Sequence, residues 1–193
     1  MTWMPGEPVR LETPRFIVRS LEMKDVSERM ARWASDPEIM ELVAPDAGPM
    51  TVLQLKRQIK GFNNKASFIL GIFNRDDALH IGNYRVYCNP KNRSAQTNVV
   101  IGDRAFWGQG VVIETRAAIL DFLFGPMNIE KVWGVPYARN FASLFNYKAQ
   151  GFRCEGIMLQ NHRLADGTRI DQYYFGLMRD EWLRQRDAGG ARP

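Results

Sequence analysis

Along this chain the spacing of hydrophobic positions switches between two periods, and each switch marks an element. From Val9 to Leu21 apolar residues alternate in part (Leu11, Phe16, Val18), which predicts a strand interrupted near Pro14. After Asp25 the spacing widens to Val26, Met30 and Trp33, a helical stripe ending near Asp36-Pro37. Pro37 to Met50, broken by Pro45, Gly48 and Pro49, reads as loop or short helix. Thr51 then caps a second helix whose buried face carries Val52, Leu55 and Ile59.

The period returns to two for three strands in a row: Ser67 to Asn74, Leu79 to Cys88 and Ala95 to Gly102. The turns between them, Arg75-Asp76-Asp77 and Asn89 to Ser94, are short, so the strands form an antiparallel meander. The third strand, with Val99, Val100 and Ile101, runs through a turn into Gly108-Gln109-Gly110 and a helix. Ile113, Ala117, Leu120 and Phe124 mark one face of that helix, and Gly125-Pro126 stops it. Lys131 to Pro136 is a strand parallel to the one before the helix, and Asn140 to Gln150 is the next helix, closed by Gly151. Phe152 to Gln160 and Ile170 to Met178 pair across Ala165-Asp166-Gly167. Residues 1–8 and 184–193 are expected to be flexible, and residues 1–193 form a single α+β domain without repeats.

Composition narrows the function classes. Hydrophobic residues at 45% and charged residues at 24% fit a water-soluble globular chain. The net charge of +5 suits an anionic ligand, but the Lys and Arg residues are dispersed, which disfavours a nucleic-acid module. There is no signal-peptide pattern and no apolar run long enough to span a membrane. Cys88, Cys154, His80 and His162 are isolated and compose no metal-binding motif. A cytoplasmic protein without metal, disulfide, nucleic-acid partner or membrane contact is the expectation.

Two stretches carry candidate chemistry. Glycines at a helix start let backbone approach a ligand, and the free N–H groups there suit a phosphate; tight packing is the competing explanation. The meander and the missing third glycine of GxGxxG argue against a dinucleotide-binding fold. Downstream, Asn140 suits an N-cap, and Tyr147 lies two turns later on the same side, as a core aromatic or a functional phenol.

Together these stretches resemble the GNAT superfamily of acyl-CoA-dependent N-acetyltransferases. Gly-x-Gly after an apolar strand, followed by Asn-x6-Tyr-x3-Gly-Phe, is similar to that family's two acetyl-CoA motifs. Leu11 to Arg15, Asp36-Pro-Glu38, Phe106-Trp-Gly-Gln-Gly110 and the Asp166-Gly167 … Asp171 … Glu181-Trp182 end resemble its RimJ/RimL-like subgroup. The resemblance implies a mixed, mostly antiparallel twisted sheet of about seven strands flanked by about four helices. It implies that Val99, Val100 and Ile101 bind the pantetheine arm, and that Gly108, Gln109, Gly110, Val111 and Val112 hold the pyrophosphate. Asn140 would bind the cofactor, and Tyr147 would lie near its sulfur as general acid, protonating the departing thiolate.

The chain departs from the family pattern at three places. Ala105 stands where a Gln or Arg is expected, with Arg104 one place off, and Lys148-Ala149 replaces a Glu-Lys pair. Gln96 stands where a strand glutamate serves as general base, leaving Glu38, Glu41, Asp46 or water as substitutes. Without a strong base, an α-amino group near pKa 7.8, roughly 15% neutral at pH 7, is easier to acetylate than a lysine-like amine near 10.4. The expected reaction is therefore direct acetyl transfer from acetyl-CoA, in a ternary complex, to a small-molecule or peptide amine. A peptide N-terminus or an amino sugar is favoured over spermidine, with the acceptor lined by Pro37 to Met50 and Gln160 to Thr168. A non-catalytic acyl-CoA-binding sensor is the alternative, motivated by Gln96 and Ala105 and opposed by Tyr147. The protein is expected as a monomer or homodimer.

Overall fold

Pro14 decides the start of the fold. It sits in the tight connection between β1 (Arg10–Glu12) and β2 (Phe16–Ser20), which pair antiparallel, so the single interrupted strand expected here is a hairpin. This split gives eight strands where about seven were expected. The structure, a computed structural model, describes residues 3–189. The remaining strands are β3 (Ser67–Asn74), β4 (His80–Asn89), β5 (Ser94–Ile101), β6 (Lys131–Gly134), β7 (Arg153–Arg163) and β8 (Arg169–Met178). They form one sheet in the order β1-β2-β3-β4-β5-β6-β8-β7, antiparallel at every joint except β5 against β6.

Six α-helices accompany the sheet among the described residues: α1 (Glu28–Trp33), α2 (Pro37–Val43), α3 (Val52–Ile59), α4 (Val111–Phe124), α5 (Phe141–Ala149) and α6 (Arg179–Asp187). About four were expected. The stretch left open as loop or short helix is α2, because Asp36 accepts from the Glu38 and Ile39 backbone N–H groups and Pro37 pre-sets the first turn. The polar tail is helical to Asp187 because Glu181 accepts from the Met178 N–H and Trp182 packs inward, its indole donating to Asp121 at 2.8 Å. Thr51 caps α3 as expected, and Leu55 and Ile59 are buried beneath it.

The two faces of the sheet carry separate apolar clusters. On one, Ile119, Leu120 and Leu123 of α4 meet Val18, Tyr84 and Val132; on the other, Met30, Trp33, Ile39 and Leu55 cover Ile69 and Phe73. The expected stripe of α4 is displaced: Ile113 and Ala117 are only half-buried, whereas Thr115, Arg116 and Ile119 are fully buried. Enclosure on most sides explains this, since such a helix has no single apolar stripe to read. Within the lead expected to be flexible, residues 4–8 are exposed and Trp3 is half-buried. Trp3 lies edge-on to Phe122 at 5.2 Å and donates its indole N–H to the Glu7 carbonyl. Of the residues expected to be flexible, 1–2 and 190–193 lie outside the described residues.

Candidate functional site

The site begins where the sheet comes apart. β5 and β6 are parallel partners only from Ser94–Lys131 to Gln96–Trp133, and beyond Gln96 the two strands diverge. Two side chains cap the open edge of β5. Tyr147 donates its hydroxyl to the Thr97 carbonyl at 3.1 Å, and Trp107 donates its indole N–H to the Ile101 carbonyl at 2.8 Å. Both carbonyls face the gap, so the period-two alternation of a strand makes Val99, midway between them, present its N–H and C=O there too. An extended amide-bearing chain fits such an edge.

At the far end of the gap lies the glycine turn. Gly108 and Gly110 have φ of +72° and +73°, the left-handed region where a side chain is strained. Space around Gly108 is open, so its conformation and not close packing calls for glycine. Gly110 is the N-cap of the 14-residue α4 and offers no capping side chain, which leaves the N–H groups of Val111, Val112 and Ile113 without helical partners. An anion is suited to that position. A cavity of about 340 Å³ runs from this turn along the gap; Val99, Val100, Ile101, Gly108, Gly110, Val111, Val112 and Asn140 all line it. Gln109 does not line it: its amide turns back to the Ala105 carbonyl, and its own carbonyl accepts from Arg15.

Arg15 belongs to a clamp that sequence reasoning passed over. Glu114 accepts from the Thr13 hydroxyl at 2.6 Å, the Arg15 backbone N–H at 2.8 Å and the Arg15 guanidinium at 2.7 Å. Arg15 then reaches the Gln109 carbonyl at 2.9 Å, tying the glycine turn to the β1–β2 hairpin. Burial pushes the Glu114 carboxyl up, but these donors outweigh it and hold the group below its ordinary range. Arg104, adjacent in sequence to Ala105, turns away to pair with Asp36 and Glu38.

Tyr147 is 3% exposed and stands between the strands at the apex of the gap. Gly134 of β6 makes room for it, since a Cβ there would collide with the phenol oxygen. Its ring stacks on Phe175 at 5.2 Å, and the Arg116 guanidinium lies 4.3 Å from its centroid. Asn140 is committed to structure at both ends. Its oxygen accepts from the Ser143 N–H, capping α5, and its amide donates to the Leu42 carbonyl at 2.9 Å, holding α2 against α5. One amide hydrogen is left for a ligand.

A second cavity of about 290 Å³ opens on the other side of Val99 and Val100, between the α1–α3 segment and the β4–β5 face. Met30, Trp33, Met40 and Tyr137 form its walls, and Asn83, Arg85, Asn98 and Tyr147 bring polar atoms to it. Leu42, Val43, Val99, Val100, Asn140 and Ser143 border both cavities, which therefore meet beside Tyr147. No Asp or Glu among the described residues lines this second cavity. Glu38, Glu41 and Asp46 instead pair with Arg104, Arg139 and His162 respectively. Gln96 lies one strand step short of the lining, opposite Tyr87. Of the stretch Gln160 to Thr168, no residue lines it; His162 reaches its rim only by pairing with Asp46 and by a tilted ring contact with Tyr137 at 4.9 Å.

No group of three or more metal-ligating side chains occurs among the described residues, and no helix there is long and apolar enough to cross a membrane. Residues 15–153 match the model of the acetyltransferase (GNAT) domain. The chain is 25% identical over 179 residues to an uncharacterized N-acetyltransferase of Bacillus licheniformis, p20, covering 89% of this chain and 97% of that one. Among solved structures, the fold is similar to a spermidine N-acetyltransferase from Vibrio cholerae in complex with CoA and spermine, with a TM-score of 0.78, 18% identity and coverage of 87% and 98%. A ribosomal-protein-S5-alanine acetyltransferase from Vibrio fischeri gives a TM-score of 0.77 at 16% identity, covering 90% of this chain and 98% of that one. At such identities the structural likeness speaks for the fold, a mixed sheet with helices on both faces.

Proposed function

The chain belongs to the GNAT acetyltransferase family, and from that premise we propose that it moves acetyl from acetyl-CoA directly to a primary amine of low basicity. The observation that carries this reading is the meeting of the two cavities beside Tyr147, one with a strand edge and helix N-terminus, the other with apolar walls. Acetyl-CoA supplies an acetyl thioester when bound. Val99 would hold the amides of the pantetheine arm as an added strand does, and the N–H groups of Val111 to Ile113 would face the pyrophosphate. Gly108 and Gly110 keep that approach open. Tyr147 Oη, whose one hydrogen is donated to the Thr97 carbonyl, would turn that proton to the leaving sulfur, and the proton lost by the attacking amine would return to the phenol through water.

Direct transfer accords with the absence of a Cys or Ser paired with a base at the junction among the described residues. Without a lining carboxylate, the acceptor must reach the cavity partly neutral, which favours a peptide N-terminus or an amino sugar over an amine with lysine-like basicity. The RimJ/RimL-like signature, from Leu11 through Trp182, supports placing the chain in that subgroup. Thiol release from acetyl-CoA across a panel of peptides, amino sugars and polyamines, with Tyr147→Phe alongside, tests the reading. Turnover that falls at least about tenfold in the variant is expected for loss of a general acid. Undiminished turnover would remove Tyr147 from that role.

The lack of an acceptor-side carboxylate also favours a second reading, an acyl-CoA-binding sensor. Calorimetric binding of acetyl-CoA without turnover on any amine would establish it.

A further inference from the structure

The acceptor-side cavity has a charge character opposite to what a polyamine needs. Arg85 points into it from β4, opposite Asn98, and its one polar partner among the described residues is the neutral Gln58 amide oxygen at 2.6 Å. Arg116 also lines it. That residue is 1% exposed, faces Gln150 Oε1 at 3.3 Å, and leaves its Nε without any partner. Neither guanidinium has a carboxylate partner among the described residues, while Arg15, Arg19, Arg29 and Arg104 each do. Arg116 is a buried cation and Arg85 a half-buried one, and an anion entering the cavity would supply the counter-charge that both lack among the described residues.

We propose that the acceptor brings this anion itself: it is an apolar α-amino acid whose carboxylate meets Arg85 and whose side chain lies among Met30, Trp33 and Met40. This narrows the transferase reading and rests on it, with one change: the amine of a free amino acid is not intrinsically of low basicity, so the site itself must lower it. A planar guanidinium bound on one side by Gln58 still offers donors to both oxygens of a carboxylate. The cavity volume of about 290 Å³ is sufficient for one amino acid with an apolar side chain. The arrangement also supplies what a missing base would do. Nearby like charges disfavour an ammonium, so Arg85 and Arg116 shift the bound amine toward the neutral, nucleophilic form. A polyamine meets the same two cations without an anion to offset them.

The experiment is a calorimetric titration of the CoA-loaded protein with L-leucine, L-leucinamide and spermidine, with thiol release from acetyl-CoA measured on the same three and on an amino sugar and a Leu-Ala dipeptide. Wild type is compared with Arg85→Gln and Arg85→Lys. Leucine is expected to bind at least about tenfold more tightly than leucinamide or spermidine, with Arg85→Gln erasing the difference between acid and amide and Arg85→Lys keeping part of it. Equal binding of acid and amide in wild type overturns the proposal, and so does a preference for spermidine, the amino sugar or the dipeptide. The wild-type comparison decides this even where a variant fails to fold. Thiol release with amines that carry no carboxylate, and none with leucine, overturns this inference and leaves the transferase reading standing. Leucine bound beside CoA without thiol release from any amine upholds the ligand class and overturns the transferase reading. No binding and no release on any of these overturns both.

Discussion

Around Gly108 and Gly110 the groups that face the donor cavity are backbone: a strand edge at Val99, the free N–H groups of α4, and a turn held by Arg15. Across Val99 and Val100 the acceptor cavity is walled by side chains from α1, α2, α3, β4 and β5. On the proposed function the donor half would read what acyl-CoA molecules share, amides and phosphates, and backbone is sufficient for that. The acceptor half must discriminate between amines, and only side chains vary enough to do so. Substitutions should therefore separate the halves: changes of backbone freedom should act on acetyl-CoA, and changes of side-chain size or charge on the amine.

The largest effect is expected at the seam between them. Gly134→Ala drives a methyl group into the place of the Tyr147 phenol, and thiol release should fall by about a hundredfold, the scale of a small misplacement of a reacting group. Acetyl-CoA affinity, measured by calorimetry, should change far less. Next, Gly110→Ala forces a side chain into a residue with φ of +73°. Left-handed backbone costs a non-glycine residue about 1–2 kcal/mol, so acetyl-CoA binding should weaken about tenfold while the amine KM holds. Arg15→Leu frees the Gln109 carbonyl and should weaken acetyl-CoA about fivefold, again without touching the amine. Met40→Ala is the converse, raising the amine KM about threefold with acetyl-CoA affinity unchanged. An amine KM that moved with Gly110→Ala would break the separation.

A last prediction leaves transfer at neutral pH untouched and concerns the acceptor-side scaffold. Burial pushes His80 down from 6.5 to about 4, its ring between Phe73 and Trp33. The unfolded chain takes up the proton first, so the stability that neutral His80 contributes is complete above pH 6.5 and is lost as pH falls toward 4. The unfolding free energy obtained from urea titrations across that window should fall by up to about 1.4 kcal/mol per pH unit from this group. His80→Asn should flatten that slope.

What the sequence disclosed follows the same division. Ser67 to Asn74, the parallel strand at Lys131 and the Asn140 cap were legible because strand alternation and capping are local. Gly108-Gln109-Gly110 was legible for the same reason. The clamp of Thr13, Arg15 and Glu114 was not, since its members lie 99 to 101 residues apart and nothing local marks Glu114 as bonded. Arg116 was hidden by its own helix: a charged residue at that place reads as solvated, yet it is buried against Tyr147. Arg85 alternates like any surface position of a strand, and only the sheet shows that α3 covers it. The hairpin at Pro14 reads from sequence as one interrupted strand, and Pro37 to Met50 stays open between loop and short helix, because each turns on how one proline is used, as a corner in the first and as a helix start in the second.

The short pairing of β5 with β6 has a mechanical consequence. Strands β1 to β5 and strands β6 to β8 are two plates riveted along three residue pairs, from Ser94–Lys131 to Gln96–Trp133. A pantetheine arm laid on the edge at Val99 would add rungs where the ladder stops, so a bound donor would serve as a splint between the plates. Its binding energy then appears as resistance to unfolding, rising with the logarithm of its concentration. Amide exchange should slow in β6 and β8, across the gap, as well as in the strand the ligand touches.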